Sequence, residues 1–166
     1  MHQVSVTIIL KHNKLLYVSS QSKMYMISQN EAEELIKLKK WLTDSQVVTL
    51  KPGQNAAYDL DSSDPAEKFI LDIWRGTISL KARFQTRARK TVVLVRLDLN
   101  GAPHTNPDGE IIKCPHIHVF REGYDDKWAY PVDVKKFSDT SEYSIAFSDF
   151  CSYCNISTPN FERTLL

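Results

Sequence analysis

Three of the five histidines in this chain, His104, His116 and His118, fall in one stretch that also carries Arg96, Asp98, Cys114, Arg121 and Lys127. Histidine is the side chain whose ordinary pKa lies near neutrality, so a pair of imidazoles can take and give a proton within one reaction. Arginine and lysine stabilise charge that grows on a phosphorane, and a carboxylate such as Asp98 can orient an imidazole. The set suits metal-free cleavage of RNA. One group takes the 2′-OH proton, another protonates the leaving 5′-oxygen, and Arg96, Arg121 or Lys127 holds the phosphate.

Two other chemistries use the same residues. Cys114, His116 and His118, with Cys151 or Cys154, are suitable zinc ligands. The Cys-x-His-x-His spacing is not a strong paired-knuckle pattern, however. Cys151-x-x-Cys154 also lies on an apolar helical stripe, where thiols commonly act as small hydrophobes. The remaining alternative gives the histidines only the task of satisfying buried polar groups. The expectation is therefore no cofactor, with a zinc module ranked third among the readings.

The elements that must position these groups are strands. His116 and His118 are two apart and share one face, with Ile117 and Val119 on the other. Arg96 and Asp98 share a face of the preceding strand. If the loop 100–114 folds back as a long hairpin, His104, His116, His118, Arg96 and Asp98 converge. Pro115 argues against Cys114 joining them.

Upstream, seven basic residues and no acidic one lie between Ile73 and Leu97. Lys81, Arg83, Arg87 and Arg89 occupy alternate positions with Gln85 among them, and Phe84 takes the opposite phase. An unbroken strand would line four cations on one face, a row suited to a phosphate backbone. The alternative is a solvated face whose cations pair with acidic neighbours.

Around these strands the pattern predicts a helix over 29–42, opened by the capping box Ser28-x-x-Glu31. Strands are predicted over 46–50, 56–60, 67–74, 77–87, 91–99, 115–121 and 127–132, and a closing helix over 138–154. Helix, antiparallel meander, helix is an α+β arrangement. Residues 4–10 and 15–19 suggest a hairpin. The chain divides into an N-terminal extension or hairpin over 1–25 and a single α+β domain over 26–166. Trp74 and Trp128 could stack bases, although strand aromatics more often fill cores. Asp125-Asp126 reads as an exposed acidic turn.

Composition fits this organisation. Hydrophobic residues make up 42% and charged residues 25%, with a formal charge of +1. Such a chain can bury a core, and its net charge argues neither for nor against nucleic acid. The three cysteines, the lack of a signal-peptide pattern and the lack of a long apolar run predict a cytoplasmic protein with no membrane partner.

Several motifs resemble a family of uncharacterised bacterial proteins often carried on prophages. They are Phe69-Ile-Leu-Asp72-Ile-Trp-Arg75-Gly76, Pro103-His104-Thr-Asn106-Pro-Asp108-Gly109, Cys114-Pro-His116-Ile-His118 and Arg121-Glu-Gly-Tyr124. A shorter likeness, over Arg96-x-Asp98, Ala102-Pro103-His104 and Pro115-His116-x-His118, is similar to the TumE-type toxins of toxin–antitoxin pairs. Thr105 stands where those toxins have a second histidine, which places His116 and His118 ahead of His104. This resemblance implies an RNase-toxin-like fold, RNA as substrate and a protein antitoxin or inhibitor as partner.

The leading expectation is thus a small metal-independent ribonuclease toxin, with His116 and His118 as acid and base and His104 in reserve. Lys81, Arg83, Arg87 and Arg89 would guide RNA. The alternative is a non-enzymatic, prophage-encoded modulator that uses the basic face for binding.

Overall fold

The computed structural model describes residues 7–11, 14–18, 27–44, 47–77 and 81–162. Residues 4–6, 19, 46 and 78–80 of four expected strands lie outside this set, as does most of the N-terminal extension. Within it, β1 (Thr7–Lys11) and β2 (Lys14–Val18) pair as the expected antiparallel hairpin.

Helix α1 spans Gln29–Lys37. The Ser28 hydroxyl accepts from the Glu31 amide at 3.2 Å, and Ala32 and Leu35 are buried. The expected continuation to 42 is corrected. Leu38 turns extended, and Lys40–Leu42 forms β3. The cause is Lys40, whose side chain is fully buried and whose ammonium donates to the carbonyls of Ile36, Leu38 and Cys154 at 2.9, 2.8 and 2.9 Å. A helix end leaves carbonyls without partners. This ammonium supplies some of them, while β5 offers backbone partners to residues 40–42.

The remaining elements are β4 (Val48–Thr49), β5 (Asn55–Ser62), β6 (Phe69–Arg75), β7 (Ala82–Ala88), β8 (Val92–Leu99), β9 (His104–Thr105), β10 (Ile111–Ile112), β11 (His116–Val119), β12 (Ala129–Pro131), α2 (Tyr143–Tyr153) and β13 (Phe161–Glu162). Seven strands make one antiparallel sheet in the order β12-β11-β8-β7-β6-β5-β3. The fold is α+β, as expected. Helix α2 is shorter than predicted, because Glu142 caps it by accepting from the Ser144 amide at 2.9 Å.

The sheet is two-sided. Leu60, Phe69, Leu71, Ile73, Phe84, Leu97 and Ile117 point to one core, which also holds Ala32 and Leu35 of α1 and Phe147 and Phe150 of α2. The Phe84 ring meets Phe147 edge-on, with centroids 5.3 Å apart. Alternate residues therefore face away from the helices and form a polar face.

A bulge in β8 decides which residues those are. Thr86 pairs with Val95 but Arg87 pairs with Val93, so Leu94 is an extra residue and both Leu94 and Val95 are buried. Val92 starts the strand opposite the buried Ala88, on the core side. Without the extra residue, that phase would carry Arg96 and Asp98 into the core. The bulge reverses the alternation and sends both to the polar face.

Candidate functional site: a histidine cluster on the polar sheet face

Cross-strand register assembles the cluster. His116 stands opposite Asp98, and His118 opposite Arg96. His104 comes from β9, which pairs with β10 in a hairpin that folds back over the sheet edge. The turn Asn106-Pro-Asp-Gly109 closes that hairpin, and Gly109 takes φ +91°, a conformation that favours glycine. Buried Asn106 docks it: its amide donates to the Ala129 carbonyl at 3.0 Å and its carbonyl oxygen accepts from the Ala129 amide at 2.8 Å.

The three imidazoles meet. Ring centroids are 4.6 Å apart for His104–His118, 5.1 Å for His116–His118 and 5.9 Å for His104–His116. His116 and His118 are buried, whereas His104 is half-buried. Their nitrogens are engaged differently. His118 Nδ1–H donates to the Asp126 carbonyl at 2.8 Å, and its Nε2 accepts from Arg96 at 2.9 Å. His104 Nε2–H donates to the Lys127 carbonyl at 2.9 Å, leaving Nδ1 as its lone-pair nitrogen. His116 Nδ1 is buried without a hydrogen bond, and its Nε2 is 3.7 Å from Asp98 Oδ2.

Asp98 is the anion at the centre. Arg83 Nε donates to Oδ1 at 2.7 Å and Arg96 Nε to Oδ2 at 3.0 Å. Arg96 also pairs with the Asp126 carboxylate. Burial opposes charge on Asp98, but the hydrogen bond from Arg83 and the nearby charges of Arg96 and Arg83 outweigh it. Its pKa falls well below the usual carboxylate range. The His116 pKa is lowered, first by burial and then by His118; Asp98 opposes the shift. The Lys113 backbone also favours the charged ring.

The other expected site residues lie apart. Arg121 stacks on Trp128, with its guanidinium 3.8 Å from the ring centroid, and does not enter the cluster. Lys127 contributes its carbonyl, and its side chain is exposed at the same turn. Asp126, read from sequence as part of an exposed acidic turn, is instead a half-buried partner of Arg96 and His118. The link from Asp126 back to β8 had no local signal in the sequence.

The alternative zinc set of Cys114, His116 and His118 with Cys151 or Cys154 does not assemble. Cys151 and Cys154 are fully buried on α2, in the core on the other side of the sheet from His116 and His118. Cys114 lies before β11, where its thiol accepts from the Gly101 amide and donates to the Asp98 carbonyl, at 3.0 and 3.2 Å. A different set has metal-like geometry: ligand atoms of Asp98, His116 and His118 lie within 4.8 Å of one another.

The basic row is also corrected. Strand β7 begins at Ala82 and ends at Ala88, so only Arg83 and Arg87 occupy its polar face. Lys81 precedes the strand and is exposed. Arg89 and Lys90 turn left-handed, with φ +50° and +68°, and Arg89 pairs with Glu67 and Glu31. Arg87 forks onto Asp72 at 2.6 and 2.7 Å. Asp72 and Asp98 sit just outside the acid-free window but across from it in the sheet, whereas Glu31 comes from α1. Clefts of about 610 and 670 Å³ open elsewhere, beside Tyr153 and beside Phe137, and neither is lined by histidine.

Fold and cluster together define an α+β protein with a histidine–carboxylate–guanidinium centre on an open sheet face. Residues 27–156 match the model of the Family of unknown function (DUF6978), and the chain belongs to that family. No curated protein and no solved structure matches it. Among the described residues, no helix is long and apolar enough to cross a membrane.

Proposed function

We propose that this protein is a small ribonuclease that cleaves by attack of the 2′-oxygen on the adjacent phosphorus. The observation that carries this reading is the half-buried His104, with a free Nδ1, packed against two buried imidazoles and a charge-compensated carboxylate. His104 Nδ1 takes the 2′-OH proton. The P–O5′ bond breaks, giving a 2′,3′-cyclic phosphate, and the proton that His104 has taken passes to the leaving 5′-oxygen, with buried His116 packed behind the ring. His118, with both nitrogens engaged, is a positioning residue, and this exchanges the roles expected for it and His104. Arg83 and Lys127, exposed at the margins, hold the phosphate. The likeness to TumE-type toxins supports the reading, because its three segments supply Asp98, His104, His116 and His118. A toxin role would require an inhibitory protein partner.

The test is incubation of purified chain with single-stranded RNA, scoring 2′,3′-cyclic termini. Wild type should cut in EDTA and His104→Ala should not. Uncut RNA at near-equimolar enzyme would sink the proposal.

A second reading has one observation in its favour, the Asp98–His116–His118 geometry. A transition metal would take His118 Nε2 from Arg96 and share Asp98 with two arginines, so like charge opposes it. Cleavage abolished by EDTA and restored by zinc would favour this reading.

A further inference from the structure

One cross-strand row runs from the cluster across the polar face. His116 is opposite Asp98, Asp98 opposite Arg83, Arg83 opposite Trp74, and Trp74 opposite Asn55. Strands are about 4.8 Å apart, so Trp74 stands roughly 14 Å from His116, three strands away. Trp74 is 41% exposed, an unusual loss of apolar burial for a large ring in the middle of a sheet. It lines a shallow groove of about 370 Å³ with Asn55, Asp72, Arg83, Gln85 and Arg87. Arg83 commits Nε to Asp98, while half its side chain stays exposed between Trp74 and the histidines.

We infer that Trp74 is a base-stacking subsite for single-stranded RNA, with Arg83 on the phosphate that links this subsite to the histidine cluster. The choice of RNA rests on the ribonuclease reading; the subsite itself rests on the row. An indole lying on a sheet reaches the face of an unpaired base, and a duplex hides that face. Stacking accepts any base, because each has a π-face. The Asn55 and Gln85 amides flank the ring and can donate to or accept from base edges. Asp98 and Asp72 already neutralise Arg83 and Arg87. Counterion release therefore contributes little here, and binding depends only shallowly on salt.

The experiment uses the full chain and a short fluorescent 2′-O-methyl oligoribonucleotide of mixed sequence, which lacks the attacking hydroxyl and stays intact. Anisotropy gives affinities for wild type, Trp74→Ala, Trp74→Phe and Trp41→Ala, with a circular dichroism melt to verify folding. Trp41 is a second exposed tryptophan, placed opposite Asp61 at the far end of β5. Trp74→Ala should weaken binding on the order of tenfold, and Trp74→Phe should restore most of it. Trp41→Ala should bind as wild type. Equal affinity for wild type and Trp74→Ala, or no binding by wild type, overturns the subsite. Cleavage is scored separately: Trp74-dependent binding without cutting removes the ribonuclease reading alone. Cutting that is indifferent to Trp74→Ala at low substrate removes the subsite alone.

Discussion

Arg96 and His118 stand opposite one another on neighbouring strands, and the Arg96 guanidinium donates to His118 Nε2 at 2.9 Å. With Nδ1 donating to the Asp126 carbonyl, the neutral ring has no free nitrogen. A protonated ring would present Nε2–H to Asp98 Oδ2, 3.4 Å away. Arg96 thus fixes the orientation of the most buried imidazole while also bridging Asp98 and Asp126.

Asp98→Asn should cost about 3 kcal/mol, because it leaves Arg83 and Arg96 beside a group that no longer carries countercharge. Urea unfolding at neutral pH measures this. Asp98 has a depressed folded pKa, so its stabilisation is present above the unfolded pKa and lost as pH falls through the folded one. Wild type should therefore lose its advantage over Asp98→Asn only in strong acid.

His116 gives a milder pH dependence. Its folded pKa is lowered, so below about 6.5 the unfolded chain binds the proton that the folded chain refuses. Stability should fall as pH drops below that value. His116→Gln should remove this part of the slope when urea midpoints are compared between pH 5 and 8.

Asn106→Ala should free the β9–β10 hairpin, because two buried backbone groups of Ala129 lose their partner. The expected cost is about 2 kcal/mol. Amide exchange should rise at Ala129 and around His104, and cleavage should fall with His104 intact. Unchanged exchange would refute the docking role of Asn106.

Lys40 also has a lowered pKa, but here it is the charged form that the fold disfavours. Burial lowers its pKa to about 8 from 10.5, with the Cys154 interaction opposing the shift. The folded state pays for this charge below pH 8 and is relieved as pH rises toward 10.5. Stability should rise across that window in wild type. Lys40→Met should lack the rise and leave the carbonyls of Ile36, Leu38 and Cys154 short of a donor.

The sequence by itself determined most of the long elements and the shared face of one histidine pair. The two-residue spacing of His116 and His118 dictated a shared side, with Ile117 in the core, because strand side chains alternate. Ser28 and Glu31 marked the start of α1, because a capping hydroxyl acts on the amide three residues on. These signals are local, and local sterics and hydrogen bonding enforce them.

Only the tertiary structure decided the partners. Lys40 ended α1 partly through the carbonyl of Cys154, the C-cap of α2, a contact 114 residues away. Asp72, Asp98, Glu67 and Glu31 neutralised Arg83, Arg87 and Arg89, which decided between a row free for phosphate and a face paired with acids, since register and packing rather than sequence distance set which charges meet. The β8 bulge chose the face of Arg96 and Asp98, and Asp126 reached them from a later turn. A cluster built across strands depends on register and on packing of the whole sheet, and no window of neighbouring residues encodes either.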